Sequence, residues 1–132
     1  MITVAVGIII EDSRVLLCQR KSTARYPLMW EFPGGKVEPD ETAEAGLVRE
    51  LREELRIEST IGPLYFRQSY HYPDSGSFDV LYYSVPSFTG ELQNMVFETI
   101  RWVAWNDLPL FDILEGNHDV VRMLMAEHAP KG

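Results

Sequence analysis

Residues 34–57 read GGKVEPDETAEAGLVRELREELRI: two glycines, a polar loop, then a segment in which Leu47, Leu51 and Leu55 recur at i, i+4 and i+8. That spacing predicts a helix from Thr42 to about Leu55, with Thr42 placed to cap its N-terminus. Residues 38–58 hold eight acids (Glu38, Asp40, Glu41, Glu44, Glu50, Glu53, Glu54, Glu58) and three arginines (Arg49, Arg52, Arg56), a local balance of −5 within a total of −8. On a helix, Glu50, Glu53 and Glu54 share an arc of roughly 100° beside the leucine stripe. Like charges so placed repel by about 0.2–0.5 kcal/mol per pair, so a positive partner is expected. Two kinds fit. One is a hard divalent cation such as Mg2+ or Mn2+, which suits oxygen-only ligands without His or Cys. The other is the pair Arg49 and Arg52, which would make this an ordinary solvated face. The upstream Pro33-Gly34-Gly35 turn favours the ion, because a glycine carbonyl can approach it with no Cβ in the way.

Outward from this stretch, Thr3–Ile10 and Val15–Arg20 are apolar, β-branched runs separated by Glu11-Asp12-Ser13-Arg14, a tetrapeptide suited to a hairpin. Trp30-Glu31-Phe32 alternates and is stopped by Pro33-Gly34-Gly35. Strand patterns resume at Leu64–Tyr72, Phe78–Val85 and Ile100–Ala104, punctuated by Pro73-Asp74-Ser75-Gly76 and by Pro86 to Gly90. A closing helix from about His118 to Glu127 carries Val121, Leu124 and Met125 on one face, and the stretch Met123 to Met125 reads as core. Strands before, between and after two helices predict an α+β layer sandwich with a mixed sheet. Gly46 inside the first helix costs about 1 kcal/mol relative to Ala and predicts close packing against a strand.

The chain has 132 residues, 45% of them hydrophobic, enough for one core and too few for two ordinary domains. With no repeat or linker-like stretch, residues 1–132 are expected to form a single domain, loose only from Ala129 to Gly132. Twelve Lys and Arg against twenty Asp and Glu argue against a protein that holds polymeric nucleic acid by its phosphates, which normally needs a basic face. A single cysteine, Cys18, allows no internal disulfide and no Cys-rich zinc site; it is expected as a buried thiol. His71, His118 and His128 lack metal-ligand spacing and are expected to be incidental. The opening MITVAVGIII has no basic n-region and meets Glu11 and Asp12 too early to span a bilayer. A cytoplasmic protein without membrane contact is expected.

The spacing G-x5-E-x7-R-E-U-x-E-E-x-G-U, with U a bulky aliphatic residue, describes the Nudix hydrolases. Here it is carried by Gly35, Glu41, Arg49, Glu50, Leu51, Glu53, Glu54 and Ile57, with Arg56 where the family has Gly. The departure falls at the helix end, where a left-handed cap in a non-Gly residue costs of order 1 kcal/mol. Beyond this box, the hairpin entering Arg20, the run Trp30 to Gly35 and the Tyr72-Pro73-Asp74 turn resemble MutT-type members.

The resemblance implies a Nudix-type α/β/α sandwich with a mixed sheet, and hydrolysis of a nucleoside diphosphate linked to another group by metal-assisted attack of water. It implies Mg2+, with Mn2+ as a substitute, held by Glu53, Glu54 and the Gly34 carbonyl. Glu50 is a further ligand or the general base, Glu98 one more acid, and Arg49 with Glu41 an orienting ion pair. Arg20 and Lys36 are implied on the phosphates. Phe32 and Tyr72 either stack on the base or fill the core. Asn117 matches an asparagine that bonds oxidised guanine in MutT-type enzymes, and also suits a helix N-cap. The implied activity is a nucleoside triphosphate pyrophosphohydrolase that converts 8-oxo-dGTP to the monophosphate and pyrophosphate, cleaning the nucleotide pool. The alternative within the class is CTP, dCTP or 5-methyl-dCTP; outside it, a non-catalytic nucleotide-binding Nudix domain. The expected partner is a small nucleotide, and the expected state a monomer or homodimer.

Overall fold

Alternation along the first strand organises the molecule. In the computed structural model β1 (Ile2–Glu11) sends Val6 and Ile8 to one side of the sheet and Ala5 and Ile9 to the other. β2 (Arg14–Gln19) repeats the pattern, with Val15 and Leu17 on the first side and Leu16 and Cys18 on the second. Both faces are therefore buried, which is why these strands read as continuous apolar runs. The structure describes residues 1–74 and 76–128; the expected loose tail, Ala129 to Gly132, and Ser75 of the expected turn lie outside the described residues.

Two short strands follow, β3 (Trp30–Glu31) and β4 (Gly34–Lys36), then α1 (Ala43–Leu55), β5 (Glu58–Thr60), β6 (Leu64–Tyr72), β7 (Gly76–Val85), β8 (Ser87–Thr89) and β9 (Thr99–Ala104). Two 3-10 segments, Trp105–Leu110 and Glu115–Asn117, lead into α2 (His118–His128). The main sheet runs β3-β2-β1-β7-β6, with β4 also paired to β1 and β9 to β2. β1 and β7 are parallel, in register from Ile2↔Phe78 to Ile9↔Val85, and the other pairings are antiparallel, so the sheet is mixed. A separate ribbon joins β5 to β8. α1 covers one face through Leu47, Leu51 and Leu55, all 0% exposed, and α2 covers the other through Val120, Val121 and Leu124. This is the expected α+β sandwich. Among the described residues no helix is long and apolar enough to cross a membrane.

Several expectations change. Gly34 and Gly35 do not end in a turn: they begin β4, pairing with Val6 and Ala5. The stretch Pro86 to Gly90 contains β8, whose partner β5 lies across the whole of β6 and β7 in sequence. Met123 is not core but 37% exposed, because the buried stripe of α2 passes through Val120, Val121 and Leu124. Gly46 packs against the helix's own entry loop and not a strand: a Cβ there would lie 2.8 Å from Glu41 Oε1 and 3.5 Å from Val37 Cγ2. Thr42 caps α1 as expected, accepting from the Ala45 N–H at 3.1 Å. Arg56 ends the helix in the left-handed region (φ 60°), its N–H donating to the Arg52 carbonyl at 3.0 Å.

Candidate active site

The acids of α1 are sorted by one arginine. Arg49 Nη2 donates to Glu41 Oε1 at 2.6 Å and Nε to Glu41 Oε2 at 3.2 Å, while Nη1 reaches Glu50 Oε1 at 3.0 Å and Glu53 Oε2 at 3.4 Å. Nη2 also donates to the Lys36 carbonyl at 3.0 Å, fastening α1 to β4. The expected Arg49–Glu41 pair is thus present. The solvated-face alternative is also partly present, since Glu50 and Glu53 meet Arg49 and Arg52 pairs with Glu58.

Glu54 is different. Among the described residues no lysine or arginine pairs with it; its Oε1 accepts the Gly34 N–H at 3.1 Å. Burial first, and the neighbouring Glu50 charge second, push its carboxyl up to about 9. A partly buried carboxyl beside a second acid, with no lysine or arginine paired to it among the described residues, ionises only at a cost that a cation would offset. Among the described residues no three His, Cys, Asp or Glu side chains converge into a cluster that encloses an ion by themselves, and Arg49 contacts both Glu50 and Glu53. The donor set is nevertheless all oxygen, which fits a hard divalent cation. A Cβ on Gly35 would lie 2.5 Å from the Glu50 carboxyl carbon, so glycine is what lets that acid lie against β4. Gly34 meets Glu54 through its N–H. Glu98 is exposed, just ahead of β9, its N–H on the Gln19 carbonyl at 2.8 Å. Its segment is tied to the helix end, where the Met95 N–H donates to the Glu54 carbonyl at 3.0 Å.

Glu54 stands at one side of a cavity of about 720 Å³ between β1, β3, β4, β6, β7 and the segment leading to α2. Of the residues expected to contact substrate, Arg20, Phe32, Lys36, Tyr72 and Asn117 all line it, and so does Gly34; Glu50, Glu53 and Glu98 do not. Arg20 is braced, with Nη1 on Glu31 Oε1 at 3.1 Å and Nε on the Arg25 carbonyl at 2.6 Å. Phe32 is 4% exposed and packs in the α2-side core, with part of it on the cavity wall. Tyr72 is half-buried, edge-on to Phe78 with centroids 5.6 Å apart. Asn117 does not cap α2 with its side chain: Nδ2 donates to Tyr82 Oη at 2.8 Å, and buried Oδ1 has no partner among the described residues.

Glu31 and Tyr82 are among the residues of this wall that were not singled out from sequence. Glu31 is held by Arg20 at the cavity edge, where burial, opposed by the Arg20 charge, raises its carboxyl above the usual range. Its signal was a lone charge between Trp30 and Phe32 in an alternating strand. Tyr82 is 0% exposed, and burial holds its phenol well above the ordinary value, so it remains protonated; nothing in a strand pattern distinguishes it from core. Cys18 is a buried thiol, as expected, with its pKa raised by burial.

A NUDIX domain model matches residues 1–124. This chain belongs to the NUDIX family. It is 36% identical over 132 residues to the CTP pyrophosphohydrolase of Escherichia coli K12, with 99% of this chain and 96% of that protein covered. It is 31% identical over 122 residues to the 8-oxo-dGTP diphosphatase of the same organism, covering 92% and 94%. Among solved structures it is similar to the E. coli ORF135 protein, with a TM-score of 0.86 and 34% identity, covering 98% of this chain and 91% of that one. NUDIX hydrolases generally use divalent metal ions, which agrees with the all-oxygen acids around Glu54. The box departure at Arg56 falls at the helix cap and at none of the carboxylates.

Proposed function

We propose that this NUDIX hydrolase is a Mg2+-dependent nucleoside triphosphate pyrophosphohydrolase that converts 8-oxo-dGTP to the monophosphate and pyrophosphate. The observation that carries the reading is the meeting, in one cavity, of Glu54, a partly buried acid that no lysine or arginine pairs with among the described residues, with Asn117, a buried amide whose Oδ1 has no partner among them. The first belongs to the phosphate end and the second to the base end.

Glu53 and Glu54 would hold the ion, with the Gly34 carbonyl beside them and Glu98 at the margin; Glu50 either joins them or takes the proton of the attacking water. When bound, the cation neutralises the polyphosphate and the charge that develops on it. Arg20 and Lys36 bind phosphate oxygens, and the Glu31 brace limits the directions in which Arg20 can point. Arg49 orients Glu50 and Glu53 while bound to Glu41. Phe32 and Tyr72 flank the base, and Asn117 reads its edge. Removing oxidised nucleotides before polymerisation would be the consequence. A second reading, hydrolysis of CTP, dCTP or 5-methyl-dCTP, is supported by the 36% identity to a CTP pyrophosphohydrolase along nearly the whole chain.

The test is a comparison of kcat/KM for 8-oxo-dGTP, dGTP, dCTP and 5-methyl-dCTP with Mg2+, with products identified. Preference for 8-oxo-dGTP with release of pyrophosphate is expected; a pyrimidine preference moves the assignment to the second reading. Glu53→Gln and Glu54→Gln should each abolish hydrolysis with the fold retained, and full activity in both would remove the metal assignment.

A further inference from the structure

Asn117 is 8% exposed and lines the cavity, yet its two polar atoms are treated unequally. Nδ2 lies 2.8 Å from Tyr82 Oη, Tyr82 Oη lies 3.1 Å from the Gly116 carbonyl oxygen, and Asn117 Oδ1 has no partner among the described residues. Elementary hydrogen-bond chemistry orders this chain. A phenol carries one proton, and a carbonyl can only accept, so the Tyr82 proton is committed to Gly116. Toward Asn117 the Tyr82 oxygen can then only accept, so the NH2 of the amide, and not its oxygen, must face Tyr82. The amide cannot turn over without setting two lone pairs against each other. Gly116 is itself held in place: a Cβ there would lie 2.3 Å from Tyr72 Oη, so its backbone sits directly against that tyrosine. The result is a buried acceptor with an unmet need for a donor, on a side chain that lines the cavity.

We propose that Tyr82 is a positioning residue for base selection: it locks the Asn117 amide so that Oδ1 faces the ligand and selects a nucleobase that presents an N–H there. The inference rests on the reading of Asn117 as a base contact. The bases favoured are those with a donor on the contacted edge, such as the N7–H of 8-oxoguanine or the exocyclic amino group of cytosine. Those disfavoured present a lone pair at the same place, such as N7 of guanine or O4 of thymine, and meet acceptor with acceptor. Without the phenol the amide is free to turn and offer its NH2 to the lone pair instead. Discrimination then falls while both bases still bind.

The experiment compares Tyr82→Phe, Asn117→Ala, the double variant and the parent protein on two nucleotide pairs, 8-oxo-dGTP against dGTP and dCTP against dTTP, with Mg2+. Tyr82→Phe deletes one oxygen and keeps the ring. In whichever pair the parent discriminates, Tyr82→Phe should reduce the kcat/KM ratio about 3- to 10-fold, the scale of one net hydrogen bond. The change should be carried by KM and not kcat, and the double variant should show no further loss beyond Asn117→Ala. If Asn117→Ala lowers discrimination while Tyr82→Phe preserves it, the lock is overturned and the base contact stands. If Asn117→Ala alters neither pair, the base contact fails and the lock with it. A measurement on the unmodified protein covers the case in which Tyr82→Phe does not fold: nitrogen-15 spectra should show one Asn117 side-chain amide proton protected from solvent exchange. Two rapidly exchanging protons would overturn the proposal.

Discussion

Arg49 grips Glu41 with two edges of its guanidinium, Nη2 to Oε1 at 2.6 Å and Nε to Oε2 at 3.2 Å, and keeps Nη1 for Glu50. The geometry requires a planar fork with several donors, which a lysine ammonium lacks. Arg49→Lys should therefore lower kcat/KM by about 10²-fold through misplacement of Glu50 and Glu53. Circular dichroism should remain that of the parent, since the leucine face of α1 is untouched. Parent-level turnover in this variant would reduce Arg49 to a surface charge.

The same pair fixes a pH dependence. The Arg49 hydrogen bonds hold the Glu41 carboxyl below its ordinary 4.5 in the folded protein. A carboxyl depressed on folding contributes stability above its unfolded pKa and loses it as pH falls through the folded value. The stability difference between the parent and Glu41→Gln should thus be level near neutral pH and shrink as the solution is acidified below the carboxylate range. Urea unfolding of both proteins across that range measures it. A difference that grows on acidification would contradict the assigned pairing.

Adjacent glycines should behave oppositely. Gly34 has φ +151°, and a Cβ there would lie 2.1 Å from the Ala5 carbonyl oxygen, which β-sheet pairing holds rigid. Gly34→Ala should cost at least about 3 kcal/mol of stability. At Gly35 the obstacle is the Glu50 carboxylate, the end of a flexible side chain. Gly35→Ala should keep most of the stability and lose about 10- to 10²-fold in kcat/KM. Paired denaturation and kinetic measurements separate the two effects.

Arg56 occupies a left-handed cap with φ 60°, where the family box has glycine. Arg56→Gly removes the Cβ conflict but enlarges the freedom of the unfolded chain, leaving a net gain of about 0.5–1 kcal/mol. A higher denaturation midpoint with unaltered kcat/KM is the expected outcome. No gain in stability would show that the Arg56 side chain contributes contacts that offset its backbone conformation.

What the chain declared on its own were features governed by neighbours in sequence. The i, i+4, i+8 leucines, the Thr42 cap and the alternation of Thr3–Ile10 are local periodicities, so α1, β1, β2, β6, β7, β9 and α2 were legible, as was the acid and arginine content of the box. Spacing alone could place Glu50, Glu53 and Glu54 on one arc, because a helix has a fixed pitch. It could not divide them: Arg49 claims Glu50 and Glu53, and Glu54 is left facing the cavity only because β4 pairs with β1 and brings the Gly34 N–H to it. β4, β5 and β8 are too short to carry a period, and each exists through a partner distant in sequence. The same holds for the base end of the cavity. Tyr82 and Asn117 are 35 residues apart, and which atom of an amide faces a phenol follows from a third group, the Gly116 carbonyl. Sequence specifies which donors and acceptors a chain owns; only folding decides which are consumed by one another and which remain for a ligand.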